Sequence, residues 1–208
     1  MKTIVISGPS GSGKSILSSK LFEFFDDSIV IKTDSYYRDN ILIRFLSIFI
    51  CDIYDRPISI KKDDINNTLK SLYNKERIIS FSQYNFKTKK SSQSKKRIDY
   101  KGDNQFIILE GIFSHRLDLN YKETINIVCE ENKEICFNRR LKRDKLERGR
   151  DSREVIKKFR KSWYLFYKNI QNYLNNNKIM VLKPLDNASY NKLVINLEKI
   201  KKLTKKNN

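Results

Sequence analysis

At 208 residues, 39% hydrophobic and 12% aromatic, the chain can bury a full core as one domain, and a wholly disordered reading fails despite 32% charged residues. Forty-three Lys and Arg against 24 Asp and Glu give +19, but Lys is scattered among Asn and Ile and Ala188 is the only alanine. That is biased composition rather than a selected polyanion-binding face, so nucleic acid is not the expected partner. Three cysteines without a CxxC pair, an N-terminus without an export signal and no apolar run near the roughly 20 residues of a membrane span lead us to expect a reduced, cytoplasmic setting with no membrane association.

In chain order, the β-branched run over 2–7, uncharged after Lys2, predicts a strand buried on both faces. A Gly-rich turn follows, then a helix over 15–25 with Ile16, Leu17, Leu21, Phe24 and Phe25 at helical spacing. A second strand over 28–33 delivers Asp34 to its C-terminal end. The apolar stretch 41–50 reads as a packed helix or a cover over the substrate, and 63–72 as a helix with Asp63 and Asp64 near its start. Strand-like segments over 77–85 and 95–101, separated by a polar Lys- and Ser-rich stretch, predict a projecting β-hairpin with a mobile loop, inserted over 78–101. Strands over 105–110 and 124–129 come next, followed by a basic helix over 132–147 and a second helix over 154–174 with an apolar stripe. A closing strand over 178–182 and a helix over 191–203 complete a three-layer α/β fold with a mostly parallel sheet of about five strands.

Gly8-Pro9-Ser10-Gly11-Ser12-Gly13-Lys14-Ser15 satisfies G-x-x-x-x-G-K-[ST] between a strand and a helix, which makes the expected architecture a three-layer α/β P-loop fold. In such a loop backbone amides cradle phosphates, Lys14 reaches their β and γ oxygens and Ser15 ligates Mg²⁺, so ATP and Mg²⁺ are the expected cofactors. Asp34 is the candidate general base or orienter of an attacking hydroxyl, or else an N-cap. Glu110, ending a buried strand, is a candidate to hold the metal through water, or a plain strand-ending acid. Arg140 and Arg143 lie three apart on one helical face and could clamp a transferring phosphoryl group, although spacing alone equally suits a solvated face.

The ordered set GPSGSGKS, DSYY, YDRP, YNF, LEGI and RRLKRDKLERGRD resembles the uridine-cytidine kinase family over roughly the first 165 residues. The resemblance implies an ATP-dependent kinase acting on a small hydroxyl-bearing metabolite, with the 5′-hydroxyl of uridine or cytidine the leading acceptor. It implies an Arg-rich lid over 139–151, with Asp34, Lys14, Arg140 and Arg143 catalytic and Arg148 joining Gly8 to Ser15 around ATP. Asp34, Tyr37, Tyr54, Asp55, Tyr84, Phe86, Arg140 and Arg150 would contact the acceptor. Lys89, also expected to contact the acceptor, stands where the family's base-reading histidine would be, which puts the acceptor's base in question; pantothenate, a sugar phosphate or nicotinamide riboside are the alternative acceptors, and a P-loop nucleic-acid-binding or polynucleotide-handling protein is the alternative of another class. A homo-oligomer is compatible with this reading. His115, the only histidine, is expected to be structural.

Overall fold

The computed structural model describes residues 1–50, 53, 56–117, 124–176 and 179–206. Five strands form one parallel sheet: β1 (Lys2–Ser7), β2 (Ile29–Lys32), β5 (Phe106–Glu110), β6 (Thr124–Cys129) and β7 (Ile179–Leu182), in the spatial order β2-β5-β1-β6-β7. Alternation along β1 explains the layers. Ile4 and Ile6 face one side with Leu17 and Leu21 of α1 (Lys14–Phe24) and Leu193 and Leu197 of α6 (Asn187–Lys206). Val5 faces the other with Ile65, Leu69 and Leu72 of α3 (Lys62–Tyr73) and Phe166 and Ile170 of α5 (Ser152–Asn176). A sheet covered on both faces requires strands apolar throughout, and β5 is buried at every position.

Register positions the chemistry. Ile6 of β1 and Lys32 of β2 both lie opposite Glu110 of β5, so the loop after β1, the acid closing β5 and the residues after β2 share one edge of the sheet. A single 3₁₀ turn, Thr33–Tyr36, carries Asp34 over that edge. Gly111 follows Glu110 and packs where a Cβ would collide with the Thr33 hydroxyl, so the β5 exit and the β2 exit can approach only through glycine.

The last helix begins at Asn187, four residues earlier than the apolar spacing indicates, because the Asp186 carboxylate accepts from the Ala188 and Ser189 amides. The hairpin differs more. Its strands are β3 (Ile78–Asn85) and β4 (Lys90–Arg97), so the Lys- and Ser-rich stretch is the second strand and no long loop exists there. The turn is only Phe86 to Lys89, closed by the Asn85 side chain accepting from the Lys87 and Thr88 amides. β4 is almost entirely solvated, so it carries no apolar alternation to betray it. The apolar stretch after Asn40 is indeed a helix, α2 (Ile41–Phe49), but Ile41, Leu42, Phe45 and Phe49 are exposed and Ile43 is buried. It is not a packed core helix.

Candidate active site

The loop between β1 and α1 wraps the N-terminus of α1. Gly11, at φ +91, lies against the backbone of α4 (Lys133–Arg148), where a Cβ would meet the Cys136 carbonyl. α4 starts on an Asn132 cap whose side chain accepts from the Glu134 and Ile135 amides, and it ends at Gly149, at φ +61. The helix thus lays its basic residues beside the loop. Arg139 donates to the Gly11 carbonyl at 3.2 Å and pairs with Glu131 at 3.3 Å, and Arg143 donates to the Ser10 hydroxyl at 3.2 Å.

A cavity of about 190 Å³ opens between these elements. Gly11, Lys14, Ser15, Asp34, Glu110 and the arginines of α4 line it. That volume falls short of the roughly 300–1,000 Å³ of ordinary small-molecule sites, so it accommodates phosphates and the reacting atoms rather than two whole substrates. Lys14 is 6% exposed, and its ammonium donates to the Pro9 carbonyl at 3.0 Å.

Ser15 donates its hydroxyl to Glu110 Oε1 at 2.7 Å. The other oxygen of Glu110, Oε2, and Oδ1 of Asp34 are buried without a hydrogen-bond partner. Two orphaned carboxylate oxygens on neighbouring strand ends are costly unless a ligand satisfies them. Burial raises the Glu110 carboxyl, Lys14 opposes that, and the nearby Asp34 carboxylate raises it further. A serine hydroxyl and two hard carboxylate oxygens are donor types that suit Mg²⁺, an ion that keeps waters and shares phosphate oxygens.

On the side of the hairpin, Tyr37 lines the cavity at 3% exposure. Its ring meets Tyr84 and Phe86 of the hairpin edge-on at 5.4 and 5.8 Å, and those two meet each other at 5.2 Å. The guanidinium of Arg148 sits 4.0 Å from the Phe86 ring centroid, joining the aromatic wall to the arginines. The hairpin is tied down by Asp39, which accepts from the Ser91 amide at 2.9 Å, while Lys61 bridges Asp39 and the Ser91 hydroxyl.

The structure therefore brings Gly11, Gly13, Lys14, Ser15, Asp34, Tyr37, Glu110, Arg140, Arg143 and Arg148 to one cavity, with Tyr84 and Phe86 packed against its Tyr37 wall. Arg140, at 2% exposure, is also committed inward, donating to the Ser162 hydroxyl at 2.8 Å. Arg150 is turned toward Asp144 at 2.8 Å and does not line the cavity, and Lys89 is exposed on the hairpin turn at φ +55. Tyr54 and Asp55 lie outside the described residues. His115 is buried beside Phe113, Phe166 and Tyr173, its amide donating to Ser7, and burial together with Arg116 lowers its pKa to about 4. Sequence reasoning passed over Asp144, fully buried and in contact with four arginines, and the Asp39–Lys61 clamp. The signal for Asp144 was available: it lies four residues after Arg140 and four before Arg148, on one helical face.

A phosphate loop at the edge of a five-stranded parallel sheet, flanked by strand-end carboxylates and an arginine-rich helix, defines a P-loop kinase, an ATP-dependent phosphotransferase. Two uridine kinases are about one third identical to it: that of Mannheimia succiniciproducens at 31% over 166 residues, covering 76% of this chain and 74% of that protein, and that of Pectobacterium carotovorum at 32% over 167 residues, covering 76% of each. The chain belongs to the phosphoribulokinase/uridine kinase family, whose model matches residues 3–187. The solved structure described as a possible uridine kinase from Bacillus stearothermophilus shares the fold, with a TM-score of 0.56 at 12% identity over 87% of this chain and 88% of that one. No helix among the described residues is long and apolar enough to cross a membrane.

Proposed function

We propose that the chain transfers the γ-phosphate of ATP to the 5′-hydroxyl of a pyrimidine nucleoside, uridine or cytidine, with Mg²⁺. The observation that carries this reading is the pair of buried, unpartnered carboxylate oxygens, Asp34 Oδ1 and Glu110 Oε2, in a cavity shared with Lys14 and the arginines of α4. The backbone from Gly8 to Ser12 cradles the phosphates with Pro9 shaping the turn, and Lys14 leaves its Pro9 carbonyl to contact them. Ser15 and Glu110 hold Mg²⁺, which when bound neutralises charge on the β- and γ-phosphates. Asp34 accepts a hydrogen bond from the acceptor hydroxyl, aligns it for in-line attack and takes its proton. Arg140, Arg143 and Arg148 face the charge that spreads over the equatorial oxygens. Tyr37, Tyr84 and Phe86 supply an apolar wall for the base and ribose, with Asp55 and Tyr54 assigned to the ribose by resemblance and Arg150 to the acceptor side. A relative's name supports the nucleoside, since the similar proteins above are uridine kinases.

The test is ADP release across a panel of uridine, cytidine, nicotinamide riboside, pantothenate and a sugar phosphate. Uridine or cytidine should be turned over with the highest kcat/KM. Turnover of pantothenate or a sugar phosphate with both pyrimidine nucleosides inert would overturn the acceptor while leaving the kinase reading in place.

A further inference from the structure

Asp144 sits in the middle of the basic run of α4 with no exposed surface. One of its oxygens accepts two hydrogen bonds from Arg143, at 2.8 and 3.0 Å, and lies 3.5 Å from Arg148. The other accepts from Arg150 at 2.8 Å and lies 3.6 Å from Arg140. Its main-chain carbonyl accepts the amides of Gly149 and Arg150, so the same residue closes the turn that carries Arg148 and Arg150. Three of the four arginines line the phosphate cavity, and the carboxylate that holds them does not. Four guanidiniums within one small volume repel one another, and Asp144 by itself balances only one of their charges, with Glu154 3.9 Å from Arg150 at the outer end. Arg140, Arg143 and Arg148 line the cavity, which suits a polyphosphate.

Building on the kinase reading above, we propose that Asp144 is a positioning residue, a buried counterion that preassembles Arg140, Arg143 and Arg148 as a receptor for the polyphosphate of ATP. It touches no substrate. Charge and position predict opposite signs on removal: as a mere negative neighbour, Asp144 weakens anion binding and its neutralisation tightens it, whereas as an organiser its neutralisation lets the guanidiniums splay and loosens it.

The experiment is calorimetric binding of inorganic tripolyphosphate and of ATP to the full chain and to Asp144→Asn, with melting curves recorded on the same samples. In a folded Asp144→Asn protein both dissociation constants should rise about tenfold, the equivalent of one charge-assisted hydrogen bond. An unchanged or tighter tripolyphosphate constant overturns the proposal. Should Asp144→Asn not fold, Asp144→Glu makes the same comparison with the charge kept and its carboxylate displaced by one methylene. Weaker tripolyphosphate binding then supports positioning, and wild-type binding overturns it. Tripolyphosphate binding requires no acceptor, so failure of the acceptor panel leaves this result readable.

Discussion

Asp34 and Glu110 reach the cavity from neighbouring strands, yet their burial gives them different vulnerabilities. On the proposed role of Asp34 as the base, Asp34→Asn should cut kcat roughly a thousandfold while ATP affinity changes by no more than a few-fold, checked by steady-state kinetics alongside equilibrium nucleotide binding. Near-normal turnover in that variant would remove Asp34 from the chemistry. Glu110 is held at 6% exposure with one oxygen satisfied by Ser15 and the other orphaned, so the ligand-free fold bears the cost of its charge. Glu110→Gln keeps an acceptor for Ser15 and should stabilise the ligand-free protein by about 1 kcal/mol, a rise of about 2–4 °C in Tm, while Mg²⁺-dependent turnover collapses. A lower Tm in Glu110→Gln would mean that the carboxylate has partners which stabilise the fold without a ligand. Both acids were legible in the sequence because each ends an apolar run in an order of motifs that the phosphate loop anchors. Asp144 was hidden for the opposite reason: it stands among like neighbours in a charge run, where sequence distinguishes a solvated face from a buried hub only if the burial of the helix is known.

At the level of elements, the strands and helices that cover the sheet were readable from periodicity, and what escaped were segments whose stability comes from polar contacts. β4 is a strand because β3 pairs with it from Ile78 opposite Arg97 to Asn85 opposite Lys90, not because its own side chains bury anything. α2 has the reverse problem: its apolar sequence predicts burial, and its exposed Phe45 and Phe49 show that hydrophobicity alone does not choose a packing partner. If Tyr84 and Phe86 wall the acceptor as proposed, the anchorage of the hairpin that carries them should govern acceptor binding more than chemistry. Asp39→Ala removes the acceptor of the Ser91 amide and the partner of Lys61 at once. The acceptor KM should rise about fivefold with kcat nearly unchanged, and amide exchange along β4 should accelerate. An equal fall in kcat with KM constant would instead place the hairpin in the transition state rather than in ground-state binding.

For the molecule as a whole, the electrostatics divide into two populations that respond oppositely to solution conditions. The attractive part is concentrated at Asp144, where burial alone would raise the carboxyl and the charges of Arg143, Arg148 and Arg140 outweigh it, leaving the pKa below the ordinary carboxylate value. A depressed folded-state pKa contributes stability that is complete above the unfolded value, about 4, and is lost as pH falls through the lower folded value, so acid unfolding should steepen below about pH 4. The repulsive part is the +19 formal charge, spread over lysines along the whole chain. Salt acts mainly on the second. A Debye length of about 10 Å at 0.1 M shrinks to about 3 Å at 1 M, which quenches repulsion between distant exposed lysines and scarcely touches guanidiniums in contact with a fully buried carboxylate. Raising NaCl from low to high concentration at pH 7 should therefore raise the Tm of the ligand-free protein by several degrees, the equivalent of about 1–2 kcal/mol. Replacing chloride with phosphate at matched ionic strength should add a further rise by occupying the arginine-lined cavity, since any ligand of the native state stabilises it by mass action. A Tm that falls with NaCl would show that attractive surface pairs outweigh the lysine surplus, and a phosphate effect no larger than that of chloride would show that the cavity does not select a multivalent anion.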